Sequence, residues 1–202
     1  MIARLAVAVG ILGMATLSAQ DARTSGSLVR PFMANGRVRM DLVAGEYQIT
    51  GSPENRVRLD WSARDAEALT RIRAKADVRG NELTLTTDGP SNSGLRFTIH
   101  VPHQSDLHVR LSAGDMRIED VRGHKDVELQ AGDLSIDVGR AADYGKVDAS
   151  LWAGDIRADA FNIYKDGLFR SFDWSGNGPY RLHVHLKAGD LRLYSKVAER
   201  ER

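Results

Sequence analysis

Acidic side chains recur at one position of a short unit that this chain of 202 residues contains five times. The unit reads apolar, any residue, Ala, Gly, acid, apolar, any residue, apolar, and its acids are Glu46, Asp115, Asp133, Asp155 and Asp190. If the units stack, their carboxylates form a column at the strand spacing of about 4.8 Å. Like charges at that spacing repel by roughly 1 kcal/mol even in water. A partner must therefore offset this repulsion.

The repeat aspartates have one structural and one chemical interpretation. In the structural one, their carboxylates cap turn amides and pair with nearby cations on a solvated face. The chemical alternative is a calcium site built from stacked carboxylates, for which the candidates are Asp115, Asp133, Asp155 and Asp190. Calcium-binding repeats carry several glycines and an Asp within nine residues, whereas this unit has one glycine. The pattern favours the structural role and leaves calcium as the alternative.

Two further sets of mostly charged residues follow the repeat acids at intervals of two residues. Two residues after it lie Arg117, Ser135, Arg157 and Arg192. After two more lie Glu119, Asp137, Asp159 and Tyr194. Alternation places both sets on the outer face of a strand, where acids and bases of neighbouring units can pair. The sequence therefore predicts a salt-bridged outer surface.

Histidines offer a second candidate chemistry. His183 and His185 share the outer face of one strand, and His108 could join them in a surface metal site if its strand were adjacent. No motif with metal-ligand spacing accompanies them. The acids recur with the structural period, and the motifs of serine nucleophiles, phosphate loops and dinucleotide sites are missing from the sequence. We expect no catalytic residue, no metal and no cofactor.

Aromatic residues concentrate where the repetition breaks, in residues 162–179. Phe169, Phe172 and Trp174 lie in this insertion, although aromatics make up only 6% of the chain. They could fold over the last repeat as a cap, which an end with exposed core and edges requires. They could instead form a surface for a protein or glycan partner. We favour the cap.

Strand-like alternation surrounds every unit and predicts an all-β fold. Spacings of 18, 22 and 35 residues separate the later repeat glycines, after a first gap of 69. The glycines suit corners between two strands, and they are Gly45, Gly114, Gly132, Gly154 and Gly189. Units of about 20 residues that cover one another are typical of a parallel β-helix or β-solenoid. The N-terminal part is β-rich but less regular, with a hairpin at Gly80–Asn81.

Composition and the first residues indicate how the chain is divided into segments. Residues 1–19 read as a signal peptide, 20–35 as a flexible segment, 36–195 as one repeat domain and 196–202 as a charged tail. No other stretch could span a bilayer. The chain has no cysteine and a net charge of +1, which argues against a lipoprotein anchor and against nucleic-acid binding. We expect an exported protein, periplasmic or extracellular.

The strand Arg96–Pro102, ending in Val101-Pro102, together with the repeated Ala-Gly-Asp units, resembles the bacterial β-strand-repeat family known as putative adhesins. The likeness covers residues 36–195. It implies a β-solenoid and an envelope location, and it carries over no catalytic residue. We therefore expect a non-catalytic scaffold, adhesion or sensing module whose partner is an envelope or cell-surface protein or a glycan. The alternatives are a polysaccharide lyase or hydrolase and a calcium-stabilised binding module.

Overall fold

A computed structural model describes residues 25–64, 66–90 and 94–197. The expected signal peptide and the last five residues of the expected charged tail lie outside this part. Within it, none of the helices has the length and apolar content needed to cross a membrane.

Seventeen strands dominate the described chain. In chain order they are β1 (Ser25–Pro31), β2 (Gly36–Leu42), β3 (Glu46–Ser52), β4 (Arg56–Ser62), β5 (Arg73–Arg79), β6 (Glu82–Asp88), β7 (Arg96–Pro102), β8 (Ser105–Ala113), β9 (Met116–Glu119), β10 (Lys125–Ala131), β11 (Leu134–Asp137), β12 (Tyr144–Ala153), β13 (Ile156–Ala158), β14 (Ile163–Lys165), β15 (Leu168–Ser175), β16 (Tyr180–Ala188) and β17 (Leu191–Tyr194). One helix, α1 (Ala66–Arg71), precedes β5, and short 3-10 turns cover Ala141–Asp143 and Asp159–Phe161. The all-β class expected from the sequence is confirmed.

The strands form two mixed sheets. Sheet A has the order β1-β4-β7-β3-β9-β11-β17-β13-β14, and sheet B has the order β15-β12-β16-β10-β8-β2-β6-β5. The central strands of both sheets pair in parallel. Antiparallel strands close each sheet at both ends. Each sheet therefore has a parallel centre between antiparallel edges.

Each repeat unit contributes one strand to each sheet. In the third unit, Val127 and Leu129 of β10 point inward from sheet B, and Leu134 and Ile136 of β11 point inward from sheet A. The alternation of period two buries one face of every such strand. The core lies between the sheets, and the Ala-Gly-acid segment forms the corner that joins them.

The corner requires glycine at Gly132. Its φ is +124°, a conformation that L side chains rarely adopt, and an added Cβ would lie 2.2 Å from the carbonyl oxygen of Gly114. The corner of one unit thus rests directly on the backbone of the next. The same close approach follows the stack from Gly45 to Gly114, Gly132, Gly189 and Gly154.

This stacking order differs from the order along the chain. The last unit, β16 and β17, lies between the third unit, β10 and β11, and the fourth, β12 and β13. It pairs in parallel with both neighbours. All units share the same register, so alternation alone does not determine which one is adjacent to which.

The N-terminal part is more ordered than its composition indicates. Within residues 20–35, which the sequence analysis sets apart as flexible, β1 pairs antiparallel with β4 along its whole length. Only Leu28 of β1 packs against the core, so the strand is held mainly by backbone hydrogen bonds that composition does not reveal. The hairpin of β5 and β6 turns at Gly80 and Asn81, as the sequence predicts.

Replacing Gly132 by Ala tests the corner packing. We expect a loss of about 3 kcal/mol in the free energy of unfolding, because the side chain is strained at this φ and overlaps a backbone oxygen. Denaturant unfolding measures it. Gly139→Ala is the control: its φ is +66° but nothing lies within 4 Å of the added Cβ, so about 1 kcal/mol is expected. Equal losses in the two variants would contradict the stacked corner.

Candidate functional site

The repeat aspartates bond to one another's backbone along the corner column. Asp115 Oδ1 accepts the backbone N–H of Asp133 at 3.1 Å. Asp133 Oδ1 accepts that of Asp190 at 3.0 Å, and Asp190 Oδ1 accepts that of Asp155 at 3.0 Å. Each carboxylate thus caps an amide of the next corner. These bonds offset the repulsion between neighbouring acids.

The carboxylates of the repeat do not gather into a cluster. In the residues that the structure describes, no three His, Cys, Asp or Glu side chains are grouped to hold a metal ion. Glu46, the acid of the first unit, instead pairs with Arg96 at 2.8 Å. Asp155, whose carboxylate caps no amide, lies 3.8 Å from Arg157, so every repeat acid has a partner in the protein.

The histidines of sheet B lie on neighbouring outer positions but do not meet. Strand β10 separates β8 from β16, so Asp126 stands between His108 and His183 in the register. His108 Nδ1 lies 2.9 Å from Asp126 Oδ2, and His183 bonds to Asp148. His185 lies two residues beyond His183 on the same outer face of β16. The strand order does not meet the condition for a shared site with His108, because β10 places the Asp126 carboxylate between the two rings.

Three of the four members of the second column do not face outward as expected. Glu119, Asp137 and Tyr194 are the last residues of their strands and are buried there, whereas Asp159 is exposed as predicted. Tyr194 donates to Glu119 Oε1 at 2.8 Å, and Lys196 Nζ lies 3.1 Å from Glu119 Oε2. Burial acts to raise the pKa of Glu119, but the bonds from Tyr194 and Lys196 outweigh it and lower that pKa.

A buried lysine stands at the same end of the strands. Lys125 occupies an inward position of β10 and is 2% exposed. Its Nζ donates to the Tyr144 hydroxyl at 2.9 Å and to the carbonyl of Gly123 at 3.4 Å. Burial lowers the pKa of Lys125 to about 8, although Asp137 and Asp106 act to raise it. Burial also raises the pKa of Tyr144. The charged form of Lys125 is thus costly in the folded protein.

A groove of about 810 Å³ runs along the loops that connect sheet A back to sheet B. Its lining includes Asp137 and Tyr144 from the buried group and Asp120, Arg122 and Arg140 from the loops. Arg140 already pairs with Asp143 at 2.8 Å. The mixed charges offer hydrogen bonds and ion pairs to a polar ligand, without a preference for either sign.

The aromatic insertion closes the end of both sheets. Strand β14 pairs antiparallel with β13 in sheet A, and β15 pairs antiparallel with β12 in sheet B. Phe172 of β15 is 5% exposed, and the Trp174 ring lies 4.9 Å from the Phe161 ring. Lys165 of β14 donates to the carbonyl of Ser171 in β15, which ties the two edges together. Phe172 and Trp174 therefore cover the core.

The remaining aromatics of this end face solvent. Phe169 is 75% exposed at a φ of +54°, and its ring centroid lies 6.1 Å from that of Trp152. Trp152 is 56% exposed on the outer face of β12, and Leu168 is exposed beside Phe169. We name Trp152, Leu168 and Phe169 the aromatic patch. Tyr164, on the sheet A side, is exposed as well.

Phe169 could be identified from the sequence, whereas Trp152 was missed. Trp152 could have been recognised from its place in the repeat unit, the variable position before Ala. The other units place Val43, Ser112, Gln130 and Lys187 there, and only the fourth has an aromatic residue. Since this position faces outward, an indole there has no role in the core.

Asp133 variants test the capping role of the repeat acids. Asp133→Ala removes the acceptor for the Asp190 amide, and we expect it to lower the free energy of unfolding by about 1 kcal/mol. Asp133→Asn keeps an acceptor oxygen and is expected to cost less. Calcium is expected to leave both unfolding curves unchanged. A calcium-dependent gain in the wild type that Asp133→Ala abolishes would instead support the calcium alternative.

Lys125 gives the stability of the protein a distinctive pH dependence. The pKa of Lys125 is about 8 in the folded protein and 10.5 in the unfolded chain. Between these two pH values the unfolded chain holds more protons on this group than the folded protein does, so stability rises with pH. We expect Lys125→Met to stabilise the protein at pH 7, by on the order of 3 kcal/mol. The gain should shrink at pH 9.5, as denaturant unfolding at the two values will measure.

Exposed Lys187 provides the matched control for this effect. Lys187→Met should change stability little at either pH. Above pH 10.5, where Lys125 no longer contributes, stability should fall in all variants, because burial raises the pKa of Tyr47 and Tyr144 and the unfolded chain ionises its tyrosines first. A gain in Lys125→Met that does not depend on pH would contradict the cost assigned to the buried charge.

Comparisons with known proteins show a likeness of fold. No family model matches the chain, and no curated protein matches it. The crystal structure of a putative cell adhesion protein from Clostridium sporogenes aligns with a TM-score of 0.56 at 13% identity, covering 85% of this chain and 100% of that one. A putative adhesin from Bacteroides fragilis aligns over 85% of this chain and 98% of that one, at 9% identity and a TM-score of 0.25. The second score is too low to support an argument, and the first indicates a shared fold.

Proposed function

We propose that this chain is a non-catalytic exported envelope protein, a rigid β-solenoid whose aromatic patch makes adhesion-like contacts with a cell-surface protein or glycan. The predicted signal peptide in residues 1–19 supports export. The two sheets joined at repeated corners support the solenoid. The likeness of fold to the Clostridium sporogenes protein is consistent with an adhesion-like role.

One observation supports the position of the contact surface: exposed apolar side chains are concentrated at the capped end. Of the eight large apolar side chains exposed in the described residues, four are Trp152, Tyr164, Leu168 and Phe169. Single exposed apolar residues are ordinary, but a group of them marks an interaction surface. Aromatic side chains are also those that contribute most at contacts. The insertion thus supplies the cap and, together with Trp152 of β12, the proposed partner surface.

Backbone strain at Phe169 supports the same assignment. A phenylalanine at a φ of +54° costs about 1 kcal/mol or more, and its exposed ring gains little burial in return. A glycine or asparagine would hold this conformation more cheaply. The ring therefore contributes little to the folded state that would explain its presence, whereas a partner that buries it would.

The rest of the surface supports a scaffold role. Asp115, Asp133 and Asp190 cap amides at the corners. The outer faces carry ion pairs such as that of Arg110 and Glu128 at 3.3 Å. Exposed pairs of this kind contribute little to stability, and their charges keep the outer face of the sheet hydrated.

Paired substitutions in the aromatic patch test this proposal. Phe169→Ser with Trp152→Ser should keep the unfolding midpoint near that of the wild type, because both rings are exposed. The same variant should lose most of its binding to the native envelope fraction, measured with labelled protein. Wild-type binding by this variant would contradict the proposal.

Two controls separate contact from folding. Val78→Ser changes an exposed apolar side chain on β5, at the opposite end of sheet B, and should bind as the wild type does. Phe172→Ala, which empties a buried position in β15, should lower the free energy of unfolding by about 3 kcal/mol. Glycan digestion of the fraction before the assay distinguishes a glycan partner from a protein.

A further inference from the structure

The last repeat unit fills a slot between two units that precede it in the chain. The slot is bounded by β10 and β11 on one side and by β12 and β13 on the other, and β16 and β17 occupy it. Both strands of the unit therefore have parallel partners on each side. Such an insertion is not needed for a simple stack, in which each unit would follow its predecessor.

The slot recognises the repeat pattern itself. Leu186 of β16 aligns with Leu129 on one side and with Leu151 on the other. At the corner, Asp133 caps the amide of Asp190, and Asp190 caps that of Asp155. All of these contacts depend on the sequence of the unit, and none depends on its covalent link to β15.

That link is a short hinge, residues 176–179, which crosses the beginning of β12. Gly176 donates to the carbonyl of Gly145 at 3.0 Å, and Gly178 donates to that of Tyr144 at 3.1 Å. The crossing is tight, since a Cβ added at Gly178 would lie 2.1 Å from the carbonyl carbon of Asp143. A path this short and close holds the last unit in its own slot only while the hinge stays folded.

We propose that the slot of one copy accepts β16 and β17 of a second copy, so that the chain self-associates by exchanging its C-terminal repeat. Every contact of the unit is then remade between chains, and only the hinge and the tethering entropy differ. The cap stays in place during exchange, because β14 and β15 pair with β13 and β12 of their own chain. The proposal does not depend on what the aromatic patch binds.

Absence of cysteine from the sequence makes the exchange directly measurable. Gln130 and Lys187 are exposed neighbours across the β10–β16 pairing, since Leu129 aligns with Leu186 and Ala131 with Ala188. Chains carrying Gln130→Cys are mixed with chains carrying Lys187→Cys at high concentration, warmed below the unfolding midpoint, cooled and oxidised. Neither chain alone can form this disulfide, so exchange is reported by cross-linked dimer in the mixture beyond the amount that either chain forms alone on a non-reducing gel.

Two controls define the geometry. Both substitutions in one chain should form the disulfide within that chain and lock the slot, which shows that the positions meet. Ser112→Cys mixed with Lys187→Cys should give little cross-link, because Ser112 lies on β8 and β10 separates it from β16. This second pair measures random collision between exposed cysteines.

Gly178→Ala, introduced into both members of the Gln130→Cys and Lys187→Cys pair, tests the hinge. Its side chain clashes with the close crossing but not with an extended path, so we expect several-fold more heterodimer than with the original hinge. The proposal is overturned if no heterodimer forms even with Gly178→Ala while the doubly substituted chain closes its disulfide. It is equally overturned if the Ser112 pair cross-links as well as the Gln130 pair.

Discussion

The corner between the sheets is the constraint on which the rest of this structure depends. A glycine at positive φ lets one backbone approach the next so closely that a methyl group would not fit. The aspartate beside it then caps the amide of the neighbouring corner. Glycine thus sets the distance between units, and the carboxylate satisfies a donor that the turn leaves open. Three acids of the column thus serve as backbone caps.

A stack built on such corners must still end, and the two ends of this one differ. At the N-terminal end, the edge strand β5 carries Arg73, Lys75, Asp77 and Arg79, charges that discourage pairing with another chain. At the other end, the edge strand β15 places aromatic rings on both of its faces. Phe172 and Trp174 seal the core, while Phe169 stands in solvent against Trp152. The molecule therefore has one end whose charged edge strand disfavours pairing and one end with exposed aromatic rings.

Much of the fold could be predicted from the sequence because its determinants are local. Alternation gives the strands, and the Ala-Gly-acid unit gives the corners. The order of the units could not be predicted, because all units share one register and any could fit beside any other. The burial of Glu119 and Asp137 could not be predicted either. Alternation places both residues on the outer face, but each is the last residue of a four-residue strand and is buried there.

The candidate site shows the same division. The concentration of aromatics in residues 162–179 indicated where the repetition breaks, but not which rings face inward. That depends on the pairing of β15 with β12, which brings Trp152 from a repeat unit next to Phe169 from the insertion. Hydrogen exchange of the protein with and without the native envelope fraction is the most direct test of the aromatic patch as the contact surface. New protection is expected only around Trp152, Leu168 and Phe169, because the corners are already protected in both states. New protection at the corner column or along the loop groove, with none near Phe169, would contradict it.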